Sequence, residues 1–233
     1  MNPLHVISGG AAQGLVGQLQ SRFGSETGLA IEGSFGAVGM MKDKLVAGAP
    51  CDVAILTDTL IRELGRQGHV VPHSATPLGV VRTGIAVKSG RSTAPVDSAI
   101  ALSTMLRKAS GIYFPDPVKA TAGIHFMKVL QALGLDQELA ARLRPFPNGA
   151  TAMREMAQAQ GDDLVGCTQV TEILYTPGAQ LVGVLPKEFE LATVYTAAVC
   201  TRSAQPDAAA ALVRLLAGVD AAPLRDAGGF EAS

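Results

Sequence analysis

Three times in this chain an apolar strand runs through a glycine-bearing turn straight into an amphipathic helix, which predicts an α/β fold with a mainly parallel sheet. Leu4 to Ile7 reads as the first strand, Ser8-Gly9-Gly10 as its turn, and Ala12, Leu15, Val16, Leu19 and Phe23 as one helix face. Leu29 to Ile31 is followed by Gly33-Ser34-Phe35-Gly36-Ala37-Val38-Gly39 and a helix carrying Met40, Met41, Leu45 and Val46. In the third unit Tyr113 and Phe114 close a strand and Asp116-Pro117 breaks it. Thr121 then caps a helix with a stripe of Ile124, Met127, Val129 and Leu130.

At such a helix start the first N–H groups have no partner within the helix, and the macrodipole adds partial positive charge. An anion is the natural guest. Ala122 and Gly123 supply donors at the third unit, and Gly123 lets a ligand approach the backbone. The alternative makes Thr121 an ordinary cap and Gly123 a packing residue. Repetition of the device favours one convergent anion site.

Between these units Cys51 to Leu56 is a buried strand, and Thr57 or Asp58 caps a helix through Leu60, Ile61 and Leu64. The two longest β-rich runs, Leu78 to Val87 and Ala192 to Thr201, lie where the strand–helix rhythm changes, and they are the expected crossovers between two lobes. That places residues 1–80 and 199–233 in lobe I and residues 81–198 in lobe II, with hinges near 78–87 and 192–201. Lobe II holds a helix around Ala99 to Arg107, the strand at Ile112, the Thr121 helix and a segment at Gln137 to Leu143. A turn at Pro145-Phe146-Pro147-Asn148-Gly149 follows, then a helix through Ala152, Met153 and Met156, and strands at Leu164 to Thr168 and Gln180 to Leu185. The Ala-rich tail from Pro206 predicts one or two helices packed on lobe I.

A chain of 233 residues with 48% hydrophobic content can bury a core in two lobes of about 100 residues each. The net charge is −1 without a Lys/Arg run, aromatic content is 4% and Trp is absent, which argues against nucleic acid and anionic membranes. No transmembrane span or signal peptide is read, so the expected location is cytoplasmic, or periplasmic if the sequence is a trimmed mature form. Cys51, Cys167 and Cys200 show no metal-ligand or redox spacing and are expected in or near the core. No metal or cofactor site is read from the sequence.

These motifs, with "AGAPCDVAILTD", "DPVKATAGIHFMKVLQALGL" and a terminal "GGFE", resemble the periplasmic solute-binding proteins of the molybdate-binding type across nearly the whole chain. The resemblance implies a type II binding-protein fold: two α/β lobes joined by two crossover strands, with a ligand clamped in a cleft between them. It also implies an ABC transporter as partner if the protein is exported. The ligand chemistry departs from the molybdate pattern. The family's first-turn Ser falls at Ala11, the Ser-rich second turn is Gly36-Ala37-Val38-Gly39, and its Tyr falls at Gln169. A tetrahedral oxyanion would lack partners here, at about 1–3 kcal/mol for each unsatisfied group.

The replacement set is Ser8, Gly9, Gly10, Ala11, Phe35, Gly36, Ala37, Arg82, Thr121, Ala122, Gly123, Asn148, Gly149, Thr168 and Gln169, with Thr151 and Thr171 as further neutral groups. Arg82, inside an apolar crossover, is expected to meet a carboxylate of the ligand or to pair with an Asp or Glu across the hinge. The mixture suits a small organic di- or tricarboxylate of the citrate or aconitate kind. The resemblance class also includes isomerases of unsaturated tricarboxylates, which need a base and donors for an enolate-like charge. His125, Lys119 and Glu172 are the candidate bases, with His73 near the first crossover, and Cys167 is a candidate nucleophile only if exposed. Two readings stand, a carboxylate-binding protein and an isomerase on the same fold. A molybdate receptor survives only if the matching at Ala11 and Gln169 is shifted.

Overall fold

The computed structural model describes residues 2–232, which divide into two compact units, residues 2–81 with 193–232 and residues 82–192. In unit 1, β1 (Leu4–Gly9) leads through a 3-10 turn at Gly10–Ala12 into α1 (Gln13–Thr27), whose buried face is Leu15, Val16, Leu19 and Phe23. Next come β2 (Ile31–Gly36), α2 (Val38–Val46), β3 (Val53–Thr57) and α3 (Asp58–Arg66). β1 is parallel to both β2 and β3, so it is central, and Leu4, Val6 and Ile7 are almost wholly buried.

The second expected turn is corrected by this ladder. Register pairs run from Leu4–Ile31 to Gly9–Gly36, so Gly33 to Gly36 belong to the strand and only Ala37 separates it from α2. Glycine reads locally as a turn, yet pairing with the central strand overrides that preference. The Phe35 ring lies over Gly33, where a Cβ would meet it at 2.3 Å.

The chain leaves unit 1 within β4 (Thr76–Lys88), after Val81. Unit 2 then contains α4 (Ala99–Lys108), β5 (Gly111–Pro115), α5 (Thr121–Ala132), β6 (Leu143–Phe146), α6 (Gly149–Gln158), β7 (Leu164–Gln169), α7 (Val170–Tyr175) and β8 (Ala179–Val184). β5 is parallel to β6 and β7, while β4 is antiparallel to β7 and β8. Gln137 to Arg142 forms turns and a short 3-10 segment, and Leu143 opens β6. Pro145 lies within β6 instead of a turn, paired with Phe114 of β5, as proline tolerates in an edge strand. Phe114 and Phe126 pack edge to face at 5.5 Å in this unit's core, with Leu102, Leu106 and Leu130.

The chain returns through β9 (Ala192–Val199), with unit 1 resuming at Thr193, ahead of the expected residue 199. The cause is a ladder: Tyr195 to Val199 pair antiparallel with Thr57 to Val53. α8 (Pro206–Ala217) and α9 (Ala222–Ala227) follow, and Leu212, Val213 and Leu216 join the unit 1 core, as the tail's periodicity predicts.

Candidate functional site

Unit 1 gathers its chemistry where its strands end and its helices begin. Ser8 is fully buried, and its hydroxyl donates to the Gly9 carbonyl at 2.8 Å. Gly9 is a close-approach position, since a Cβ there would lie 2.7 Å from Val38 Cγ1 and 3.0 Å from Tyr195 Cε1. Gly10 and Ala11 are buried in the 3-10 turn. Gly36 is buried at the end of β2, and Ala37 precedes α2 without a side-chain cap, so its first N–H groups receive no side-chain oxygen. α3 differs, because Thr57 Oγ1 accepts from Leu60 N and Asp58 in its first turn pairs with Arg62. Tyr195, 2% exposed against this glycine turn, was missed by the sequence reading, which treated its strand as a crossover only.

In unit 2 the expected cap is corrected. The residue preceding α5 is Ala120, Thr121 is the first helical residue, and no side chain caps this start. Asp116 Oδ1 accepts instead from Val118 N and Lys119 N in the turn before it. Gly123 is needed for packing: a Cβ would lie 2.2 Å from the Pro115 carbonyl oxygen and 2.3 Å from that of Asp116. Ala122 is buried beside it.

The start of α6 carries a built-in anion. Glu172 is buried, and its carboxylate accepts from the Thr168 hydroxyl at 2.5 Å and from the backbone N–H groups of Gly149, Ala150 and Gln169. Burial pushes the Glu172 carboxyl up from its ordinary range, while these four donors pull it back. A Cβ on Gly149 would stand 2.0 Å from both Glu172 Oε2 and Thr168 Oγ1, so only glycine fits. Asn148 Oδ1 is the N-cap, accepting from Thr151 N at 2.8 Å. Asn148, Gly149 and Thr168, read from the sequence as ligand donors, thus spend these groups inside the protein.

Beside that satisfied cluster stands an unsatisfied one. Thr83 Oγ1, both amide atoms of Gln169 and Thr171 Oγ1 are buried without a hydrogen-bond partner. Thr83 lies opposite Gln169 in the β4–β7 ladder, so the two side chains share one sheet face, and Thr171 sits in the first turn of α7. Buried polar groups are otherwise nearly always paired, which makes these atoms candidates for bonding to a guest. Gln169 was read from the sequence. Thr83 was missed because a threonine in a β-rich run carries no local signal.

Of the other candidates, Arg82 pairs with Glu190 within unit 2, the ion-pair alternative of its reading. His125 Nε2 is 2.7 Å from the Phe189 carbonyl oxygen, which fixes that nitrogen as the donor in neutral imidazole. Lys119 and His73 are exposed. Cys167 is fully buried and burial pushes its thiol well up, which removes it as a nucleophile. Among the described residues no group of three or more His, Cys, Asp or Glu side chains gathers to hold a metal, and no helix is long and apolar enough to cross a membrane.

Two α/β units, through which the chain passes out and back once, each with uncapped helix starts at strand ends, define the two-lobed periplasmic-binding-protein-like fold. Residues 4–231 match the family described as bacterial extracellular solute-binding protein, and the chain belongs to that family. Among curated proteins it is similar to an aconitate isomerase from a Pseudomonas species, 26% identical over 227 residues, covering 94% of this chain and 84% of that protein. Among solved structures, the periplasmic molybdate-binding protein of Azotobacter vinelandii superposes with a TM-score of 0.81 at 22% identity, covering 99% of each chain. The sulfate-binding protein SubI of Mycobacterium tuberculosis gives 0.73 at 18% identity, covering 99% of this chain and 86% of that one.

Proposed function

We propose that this solute-binding protein takes a small organic polycarboxylate, held in part by Thr83, Gln169 and Thr171. The observation that carries the reading is the Gln169 amide, buried with both its oxygen and its nitrogen unpartnered. A fully ionised inorganic oxyanion only accepts hydrogen bonds, so it would satisfy the amide nitrogen and leave the oxygen facing negative charge. An organic acid bearing a hydroxyl or a protonated carboxyl presents donor and acceptor together. Within the same unit, the uncapped start of α5 supplies further N–H donors suited to carboxylate groups. The Glu172 carboxylate already fills the start of α6, so a ligand anion is not needed there.

A second reading, isomerisation of an unsaturated tricarboxylate, is favoured by the similarity to aconitate isomerase. Against it, the Glu172 carboxylate is enclosed by four donors and is not poised as a base, and His125 donates through Nε2 to Phe189, which leaves only its Nδ1 to take a proton. The test is a proton NMR time course in heavy water with citrate, cis-aconitate, trans-aconitate and, separately, molybdate by calorimetry. Line broadening by a tricarboxylate without conversion supports the binding reading. Interconversion of the aconitates with deuterium uptake replaces it with the isomerase reading, and binding of molybdate alone overturns both.

A further inference from the structure

Away from the polar clusters, unit 1 holds two of the three cysteines side by side. Cys200 Sγ donates to Cys51 Sγ at 3.2 Å, and Cys51 Sγ points a second contact at the Val53 carbonyl at 3.3 Å. Both thiols are free. They sit just outside the paired ends of β3 and β9, and the backbone around them is held from several sides. Cys200 N donates to the Asp52 carbonyl at 2.8 Å. The Asp52 carboxylate accepts from His5 N, Ser203 Oγ and Ala204 N. Closing the sulfurs from 3.2 Å to a bond of about 2.05 Å therefore needs side-chain rotation within a fixed frame.

Access and chemistry agree with the distance. Cys200 is buried, whereas Cys51 is half-buried in a surface recess lined by Pro50, His69 and Arg202. Arg202 gives the recess a cationic wall suited to an anionic disulfide. Cys167 lies fully buried in unit 2.

We propose that Cys51 and Cys200 are a modification site, a thiol pair that closes to a reversible disulfide when met by a small disulfide oxidant. The Cys51 thiolate attacks one sulfur of the oxidant, forming a mixed disulfide and releasing the first small thiol. Cys200 then gives its proton to water and attacks the Cys51 sulfur, displacing the second small thiol. Two protein thiols are oxidised and one small disulfide is reduced to two thiols, so electrons and protons balance. The bond joins Cys51, ahead of β3 and α3 in unit 1, to Cys200, soon after unit 1 resumes at Thr193, which closes a ring that contains the whole unit 2 segment.

The test treats the native full chain with oxidised glutathione, blocks remaining thiols under denaturing conditions, and maps the products by mass. The expected result is a fall from three free thiols to one, the loss of two hydrogens in the intact mass, and a peptide pair linked through Cys51 and Cys200. Cys167→Ser leaves the cross-link intact, and Cys200→Ser stops at a glutathione adduct on Cys51. A lasting glutathione adduct on Cys51 in the unsubstituted chain, a dimer linked through Cys51, or three unreacted thiols would each overturn the proposal.

Discussion

Both units bury polar groups near strand ends, but they treat them differently. In unit 1 Asp52 is fully employed by His5, Ser203 and Ala204, and Ser8 by Gly9. In unit 2 Glu172 is equally employed, while Thr83, Gln169 and Thr171 are left without partners. Among the described residues every orphaned buried side-chain atom lies in unit 2. Satisfied groups fix a backbone, whereas orphaned ones cost about 1–3 kcal/mol each until something binds them. The difference separates a scaffold from a candidate recognition surface.

The sharpest contrast is between glycines at strand and helix ends. Gly149→Ala drives a Cβ into Glu172 and Thr168 at 2.0 Å, both locked by hydrogen bonds, and is expected to cost about 3 kcal/mol in urea unfolding. Gly9→Ala in unit 1 crowds the side chains of Val38 and Tyr195 and reaches the Ile55 carbonyl only at an ordinary 3.8 Å, and about 1 kcal/mol is expected. Equal costs would break the distinction. Glu172→Ala leaves the Thr168 hydroxyl and the helix-start N–H groups unpaired, with a loss of roughly 2–3 kcal/mol in the same assay.

The orphaned cluster should respond the other way. Thr83→Val removes an unpaired buried hydroxyl at nearly constant shape, so stability is expected to stay level or rise by up to about 1 kcal/mol in thermal melts. Affinity for the proposed carboxylate ligand should fall about tenfold, the size of one lost hydrogen bond, read by calorimetry. A destabilised Thr83→Val protein would show that the hydroxyl has an internal role and would erase the contrast between the units.

How much of this was legible in the sequence depended on locality. The amphipathic faces of α1 and α3 and the Ala-rich tail were readable because their signals lie within a few residues. The extent of β2 and the start of unit 1's second segment were not, since both are decided by partners in distant strands. The same holds at the candidate site. Gln169 was singled out because the resemblance sets it where the family carries a Tyr, but Gly149, Thr168 and Glu172 were read as ligand or catalytic groups when they satisfy one another. Composition gives the donors, and only the fold reveals which of them already have acceptors.

The smallest expected effect is the pH dependence that Glu172 adds to stability. Its folded-state pKa is raised above the ordinary 4.5, chiefly by burial, so on a pH rise the unfolded chain loses this proton first. Stability due to this group therefore falls as pH climbs from about 4.5 toward the raised value, and the cost is complete above it. The slope from one such proton cannot exceed about 1.4 kcal/mol per pH unit, and the four donors hold it below that. Glu172→Gln has no proton to lose, so its unfolding free energy should lack this decline, whatever constant offset the amide introduces. Parallel pH curves for the two proteins would mean that the donors at the α6 start cancel the burial cost outright, leaving Glu172 as balanced as its surroundings in the folded chain allow.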